Sequence, residues 1–581
     1  MNPARILPRQ IRKLRRTSVM RPSMRLTAGM TIWVASLLSV CTVHAEEGGG
    51  ARVTQTQAVK DATTLVQLLE ISHPDPYINM GGMVAFHEKA RALIKGLPPS
   101  GLTVEEFARR LEDFVSGLKD GHTRVNGPDT GKPRDTSMGM LVRFGISADG
   151  LFISGSNVPE LAGTRGDRLL AVNGHPLEDI PAKTGAENIY GDYKQCASIV
   201  RSYKSLHDRF PDLDPQGAAT FNLLSPDGVR VDRTIPWQEV RAVNDLPDER
   251  KQEKRDLQNW TEKPRRWNGL EPSEDLFSYR FFEKQGAAYF RIAAIMGRES
   301  AEMSLREKVG NPDWMIRDYY RRHNKTVPAD PEEAIKGMPS FVETGERLLR
   351  EMQEKGMTNL IVDLRGNGGG WTPMVFPFFY QMYGDAYYGH HSRSRFVTRV
   401  SQLFLDKHHM TLEEWRRNSN DPEFELGDYQ FHEEENLGAE AARKKAIAEY
   451  SEEHLSFAKN LEALDGKPVF TPKRVIVLCD PDTFSAAFHT MAYLKEMGAI
   501  LVGVPSSQSP NAFMEVTEFK LPESGLTGSI SNSRQFFCPD DPKADVFHLD
   551  FEATYPIFVK YDFDEQTILR YALDLIADGK L

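Results

Sequence analysis

The sequence predicts a multidomain α/β protein: an N-terminal helical unit, a β-rich middle segment, and a C-terminal core on a mostly parallel sheet. Three observations predict it. "AAYFRIAAIM" (Ala287 to Met296), "NLIVDL" (Asn359 to Leu364), "RVIVLC" (Arg474 to Cys479) and "AILVGV" (Ala499 to Val504) are short apolar runs that read as fully buried strands. Helical stretches such as Phe341 to Lys355 lie between them, which favours crossover helices joining parallel strands. Upstream, the pattern is helical from about Thr54 to Val125, then strand-like with turn signals from about Met138 to Trp237.

In chain order, residues 1–45 hold eight Lys/Arg and no acid, ending in the apolar run "MTIWVASLLSVCTVHA". Positive charge, a short apolar core and a small-residue site at Val43-His44-Ala45 make an export signal, too short for a stable membrane span. The expected location is the periplasm or the extracellular space. Residues 46–135 form the helical unit. Val59, Leu65, Leu68 and Leu69 make one stripe, and "HPDPY" (His73 to Tyr77) stops the helix. A second helix opens with Thr103 and Glu106 in capping-box spacing and shows Phe107, Leu111, Phe114, Val115 and Leu118 on one face. Gly121 is its expected stop, which puts His122 just past a helix end. Residues 136–245 are β-rich, with Asn173-Gly174 as a tight turn. Residues 246–280 read as a charged linker and 281–581 as the core, with polar, helix-prone insertions at about 298–338 and 390–467.

Charge and cysteines exclude several functions. The net charge is −10, and loss of the eight basic leader residues would take it near −18, which argues against nucleic-acid binding. Cys196, Cys479 and Cys538 allow at most one internal disulfide and show no metal-site spacing. His390-His391 and His408-His409 lie in polar surroundings and read as solvated surface.

Two stretches carry chemistry. In "PDTFSAAFHT" (Pro481 to Thr490), Ser485 stands where a strand turns into a helix, since Ala487, Met491 and Leu494 recur at i, i+4 and i+7. A serine there is either a helix cap or a nucleophile whose oxyanion is stabilised by the free N–H groups of the helix start. "IVDLRGNGGGW" (Ile361 to Trp371) lacks the Gly-Lys-Ser/Thr ending of a phosphate loop. It is either a tight connection or a backbone that comes close to a ligand and points N–H groups at it.

"NLIVDLRGNGGG", then "PDTFSAA" about a hundred residues later, with "LKDGHTRV" far upstream, resembles the C-terminal-processing and tricorn-core serine peptidases (tail-specific proteases). The resemblance runs from "HPDPY" to "DEQTILRYALDLI". It implies a crotonase/Clp-protease-like core, a PDZ-like unit around "GDRLLAVNG", a peptide or protein substrate, and no metal or cofactor. By position, Ser485 matches the nucleophile, and the N–H groups of Ala486 and of Gly369 or Gly370 match the oxyanion donors. One branch of the family activates its serine with a lysine in a Gly-x-x-Thr-x-Gly-Lys pattern. Here "GVPSSQSPN" (Gly503 to Asn511) has none, and Lys495 sits beside Glu496 on a polar helix face. The other branch uses a histidine, matched by His122 in "DGHT". His489 competes, being one turn after Ser485, although the family motif gives it no role. The tricorn-like pattern has serine before the histidine, where this chain has Gly121. The orienting acid is therefore open among Asp120, Glu515 and Glu552, with a dyad assisted by Thr123 or backbone as a further possibility.

Two other classes compete with a peptidase. Interphotoreceptor retinoid-binding protein uses similar modules as a carrier, but retention of both Ser485 and His122 favours hydrolysis. An ester hydrolase would be expected to show Gly-x-Ser-x-Gly, which is missing around Ser485.

Overall fold

The computed structural model describes residues 51–128, 142–156, 158–180, 186–201, 205–207, 210, 218–236, 270, 273, 275–307, 312–390, 392–432, 437–452 and 455–581. The expected export signal and most of the expected charged linker lie outside the described residues.

The core is a six-stranded sheet in the order Phe277–Phe282, Ala287–Ile292, Asn359–Asp363, Arg474–Cys479, Ile500–Gly503, Phe551–Glu552. The first pair is antiparallel and the other four pairings are parallel. Side chains alternate across a strand, and burial on both faces explains the unbroken apolar runs. Phe290, Leu360, Val362, Val475 and Val477 face the helices Phe341–Glu354, Phe376–Tyr383 and Ala486–Glu496. Tyr289, Ile361, Ile476, Leu478 and Val502 face Thr567–Ala577 and its neighbours.

A second sheet runs Tyr429–His432, Arg395–Arg399, Thr527–Phe536, Phe513–Lys520, and Arg124–Val125 also pairs with Thr527–Phe536. The stretch 390–467, expected to be helical, therefore supplies two strands besides its helices. The alternation in "RFVTR" is satisfied by pairing with the long strand Thr527–Phe536, a partner more than 120 residues away in the chain. The stretch 298–338 is helical over Arg298–Glu307, Pro312–Arg322 and Pro331–Lys336.

The N-terminal unit packs Gln55–Ser72, Met83–Lys95 and Val104–Val115 together and against Phe519 and Ile530 of the second sheet and Leu521 and Leu526 of the turn that joins two of its strands. Thr54 and Gln57 close a capping box at the first helix. Its buried face is Ala58, Ala62, Leu65, Val66 and Leu69, while the expected Val59 and Leu68 are only partly covered. Thr103 caps the third helix by accepting the Glu106 N–H at 3.1 Å. That helix ends one short turn after Val115, and Lys119 takes the left-handed conformation at φ 49°, so Gly121 is not the stop.

The β-rich unit has Val142–Ser147, Gly150–Ser156, Arg168–Val172, Ala218–Leu224 and Arg230–Pro236 in one antiparallel sheet. Asn173 and Gly174, both at positive φ, form the expected tight turn before His175–Pro176. The unit docks on the core: Phe152 meets Phe558 and Phe563, and Tyr555 Oη donates to the Gly166 carbonyl at 2.6 Å. Cys196, Cys479 and Cys538 are all free.

Candidate active site

Three core strands deliver their loops to one edge of the parallel sheet, beyond Asp363, Cys479 and Gly503. The carboxyl ends of parallel strands are where open α/β sheets place ligands. The loops carry Gly369-Gly370, Ser485 and Gln508.

Ser485 precedes the helix Ala486–Glu496 at φ 54°, ψ −124°, and its side chain makes no capping hydrogen bond. A non-glycine residue at such a φ costs about 1–3 kcal/mol and persists where surrounding structure holds it. What holds it is Gln508, fully buried, whose Oε1 accepts the Ser485 N–H at 2.5 Å. Because the serine N–H is a donor, the amide oxygen must face it, which leaves Gln508 Nε2 buried with no partner among the described residues. The Ser485 side chain is thus presented at a helix N-terminus without being used as a cap.

The glycine turn packs directly on this elbow. A Cβ on Gly369 would stand 2.7 Å from Ser485 Cβ, 2.8 Å from the Phe484 carbonyl and 2.9 Å from Ala486 N, at a φ of +109°. A Cβ on Gly370 would fall 2.1 Å from the Ile295 carbonyl. Gly369 N–H donates to Asn367 Oδ1 at 2.9 Å. The N–H groups of Gly370 and Ala486 find no acceptor among the described residues.

His122 arrives from the helical unit. Its loop is stitched to the second sheet: Ser529 Oγ donates to the His122 carbonyl at 2.8 Å, and Ser531 N–H donates to Thr123 Oγ1 at 2.9 Å. The His122 ring stacks on Phe484, the residue before the serine, at 5.1 Å between centroids. This explains Gly121, since a Cβ there would come within 2.7 Å of the Phe484 ring and 2.9 Å of Glu187 Oε1. The glycine is required by space, not by its own φ. Among the described residues, no hydrogen bond joins Ser485 Oγ to His122.

Of the three acids expected as orienting groups, the structure brings one to His122. Asp120 is 7% exposed and accepts from the His122 N–H at 2.9 Å, from His73 Nε2 at 3.2 Å and from Thr123 Oγ1. His73 Nδ1 accepts the Asp75 N–H, so its proton lies on Nε2, toward Asp120. Burial alone would raise the Asp120 carboxyl. The hydrogen bond from His73, with His122 and Thr123 beside it, outweighs burial and holds it well below the usual carboxylate range. Glu515 is exposed at φ 55°, and Glu552 Oε1 pairs with His548 Nδ1 at 3.4 Å.

His489 is committed elsewhere. It is 4% exposed, with Nδ1 against Thr372 Oγ1 at 2.8 Å and Nε2 against Met514 Sδ at 3.1 Å. Burial, with the charge of His122 nearby, pushes its pKa down to about 3. Lys495 pairs with Asp550 at 2.7 Å.

Three participants escaped the sequence reading: His73, Gln508 and Glu187. His73 was visible only as part of a helix-stopping "HPDPY", and Gln508 only as a residue in a loop without lysine. Glu187 comes from the β-rich unit and had no local signal. Its oxygens accept the Gly121 N–H at 3.0 Å and the Ser509 N–H at 2.8 Å. Burial, aided by the Asp120 charge, pushes its pKa up to about 8 against those two donors. Asp120, His122 and Glu187 each offer an atom within 4.8 Å of the others. As a metal cage the trio is poor, because Asp120 already accepts three protein donors.

Residues 337–532 match the family model "Peptidase family S41". No curated protein matches the chain. Among solved structures, mature CPAF complexed with lactacystin and mature CPAF are each 16% identical at a TM-score of 0.50. They cover 90% of this chain and 97% and 96% of their own. The photosystem II D1 C-terminal processing protease is 10% identical at a TM-score of 0.37, covering 86% of this chain and 94% of its own. At 16% identity the likeness to CPAF concerns the fold.

Proposed function

We propose that the chain is a serine-type peptidase of family S41, the family whose model matches residues 337–532, that it is exported, and that it cleaves peptide bonds through a Ser485 acyl-enzyme with His122 as general base and acid. Neutral His122 takes the Ser485 proton, Ser485 Oγ attacks the scissile carbonyl, and backbone N–H groups of Ala486 and the Gly369–Gly370 turn receive the oxyanion. His122 then protonates the leaving amine, and water repeats the cycle on the acyl-enzyme. No step calls for a metal or cofactor.

The observation that carries this reading is the Ser485 elbow: positive φ, an uncapped side chain, and a helix N-terminus packed on a glycine turn beside the His122–Phe484 stack. The lack of any lysine in the segment after the nucleophile helix supports histidine over lysine as base. For the β-rich unit we propose a PDZ-like role in presenting the substrate chain, and for the core a crotonase/Clp-protease-like layout. Export rests on the composition of residues 1–45. Among the described residues no helix is long and apolar enough to cross a membrane.

A fluorophosphonate probe applied to the purified protein at several pH values, with mass-spectrometric mapping, tests the assignment. Labelling at Ser485 that falls with a histidine-like pKa on acidification and vanishes in His122→Ala is expected. A folded protein that is never labelled, or is labelled elsewhere, refutes it.

A further inference from the structure

We infer that Glu187 is a positioning residue for the catalytic histidine: its carboxylate, brought in by the β-rich unit to within 4.8 Å of the ring, closes on the His122 Nδ1–H and stabilises the imidazolium formed during proton transfer. The inference rests on the Ser485–His122 reading above.

His122 Nδ1 is shut off from solvent and has no partner among the described residues. A buried ring nitrogen without a partner is costly, and two carboxylates lie within 4.8 Å of the ring. Their remaining capacity differs. Asp120 already accepts from His73, Thr123 and the His122 N–H. Glu187 accepts one N–H on each oxygen, which leaves a lone pair free on both.

The position of Glu187 is built. It follows from Asn188, which caps the helix Ile189–Ile199 and donates through Nδ2 to the carbonyls of Ser506 and Asp545. The two N–H groups that Glu187 accepts belong to Gly121, one residue before His122, and Ser509, one residue after Gln508. Gln508 in turn holds Ser485. One carboxylate therefore ties the base loop to the loop that sets the nucleophile.

With Nδ1 turned inward, Nε2 is the nitrogen left to exchange the Ser485 proton. That proton passes to Nε2 and on to the leaving amine, while Glu187 ends each cycle as it began. The ionisable groups facing the ring are Asp120, Glu187 and His489, with His73 behind Asp120 and Lys194 over Phe484. Burial raises the Glu187 pKa, and an imidazolium beside it opposes that rise and favours the carboxylate.

The test compares Glu187→Gln and Glu187→Asp with wild type for kcat and KM on a fluorogenic peptide, and for the pH profile of fluorophosphonate labelling. For Glu187→Gln, kcat should fall about 10- to 100-fold with KM little changed. The acid limb should move to lower pH by about half a unit or more, because an imidazolium without its carboxylate is a stronger acid. Glu187→Asp should recover part of both. A folded Glu187→Gln with wild-type kcat and acid limb overturns the inference. A protein nitrogen-15-labelled at histidine, with native sequence, gives a reading independent of variant folding: a hydrogen-bonded Nδ1–H on His122 is expected, and a bare Nδ1 overturns it. Wild-type labelling in His122→Ala would instead refute the base assignment, and the Glu187 role with it.

Discussion

Gly369→Ala probes the approach of the glycine turn to Ser485, the proposed nucleophile. The added Cβ would meet three atoms of the elbow at 2.7, 2.8 and 2.9 Å, two of them backbone. Ordinary contact needs several tenths of an ångström more at each, so either the turn or the elbow must shift. The φ of +109° adds backbone strain of about 1–3 kcal/mol, and overpacking a tight site adds about 1–3 kcal/mol. Typical domains are stable by about 5–15 kcal/mol, so the protein should fold with a lowered urea midpoint. Catalysis should suffer more, because the shift moves the oxyanion donors relative to Ser485 Oγ. Loss of one such donor costs about 10²–10³ in kcat. The assay is kcat and KM on a fluorogenic peptide beside urea unfolding. Wild-type kcat with an unchanged midpoint would refute the packing argument. An unchanged kcat with a lowered midpoint would refute the placement of the donors.

The other predictions concern the polar groups around His122. Asp120→Asn puts an amide where His73 Nε2, Thr123 Oγ1 and the His122 N–H all donate, so it should destabilise by about 3–5 kcal/mol, read by urea unfolding. The Asp120 pKa is lowered in the folded state, so its stabilisation is present above the ordinary carboxylate range and is lost as pH falls through the folded value. Wild type should therefore lose more stability than Asp120→Asn on going below about pH 4. Glu187 has the opposite sign. Its raised pKa gives stability that is full below the ordinary glutamate range and is lost as pH rises toward about 8, so the urea midpoint of wild type should fall between pH 5 and 9 more than that of Glu187→Gln. His489→Ala empties a buried site and should cost about 2–4 kcal/mol of stability. It should keep a histidine-like acid limb in probe labelling, whereas His122→Ala should abolish labelling.

Local pattern was enough for the elements whose neighbours share their chemistry. Buried strands such as "RVIVLC" need apolar side chains on both faces, so composition alone marks them. The Thr103 cap and the Asn173-Gly174 turn are decided within four residues. The strand-to-helix serine and the glycine turn were legible for the same reason, because backbone strain and close approach restrict which residues can stand there.

What the sequence left open is decided by contacts between distant segments. Whether Ser485 caps its helix depends on Gln508, 23 residues on, which fixes its peptide N–H. Gly121 looked like a helix stop, yet Lys119 takes the left-handed turn and the glycine makes room for Phe484 and Glu187. Strands 395–399 and 429–432 lie in a polar stretch that reads as helical because their pairing partner is far along the chain. In the sequence His489 competes with His122 as the base, and the family motif favours His122. Only packing seals one against Thr372 and Met514 and leaves the other stacked on Phe484, beside Ser485, with an unsatisfied ring nitrogen. Sequence by itself determined which residue types are available for acyl transfer. Tertiary structure decided which of them meet, because desolvation and hydrogen-bond capacity belong to the folded surroundings and not to the residue.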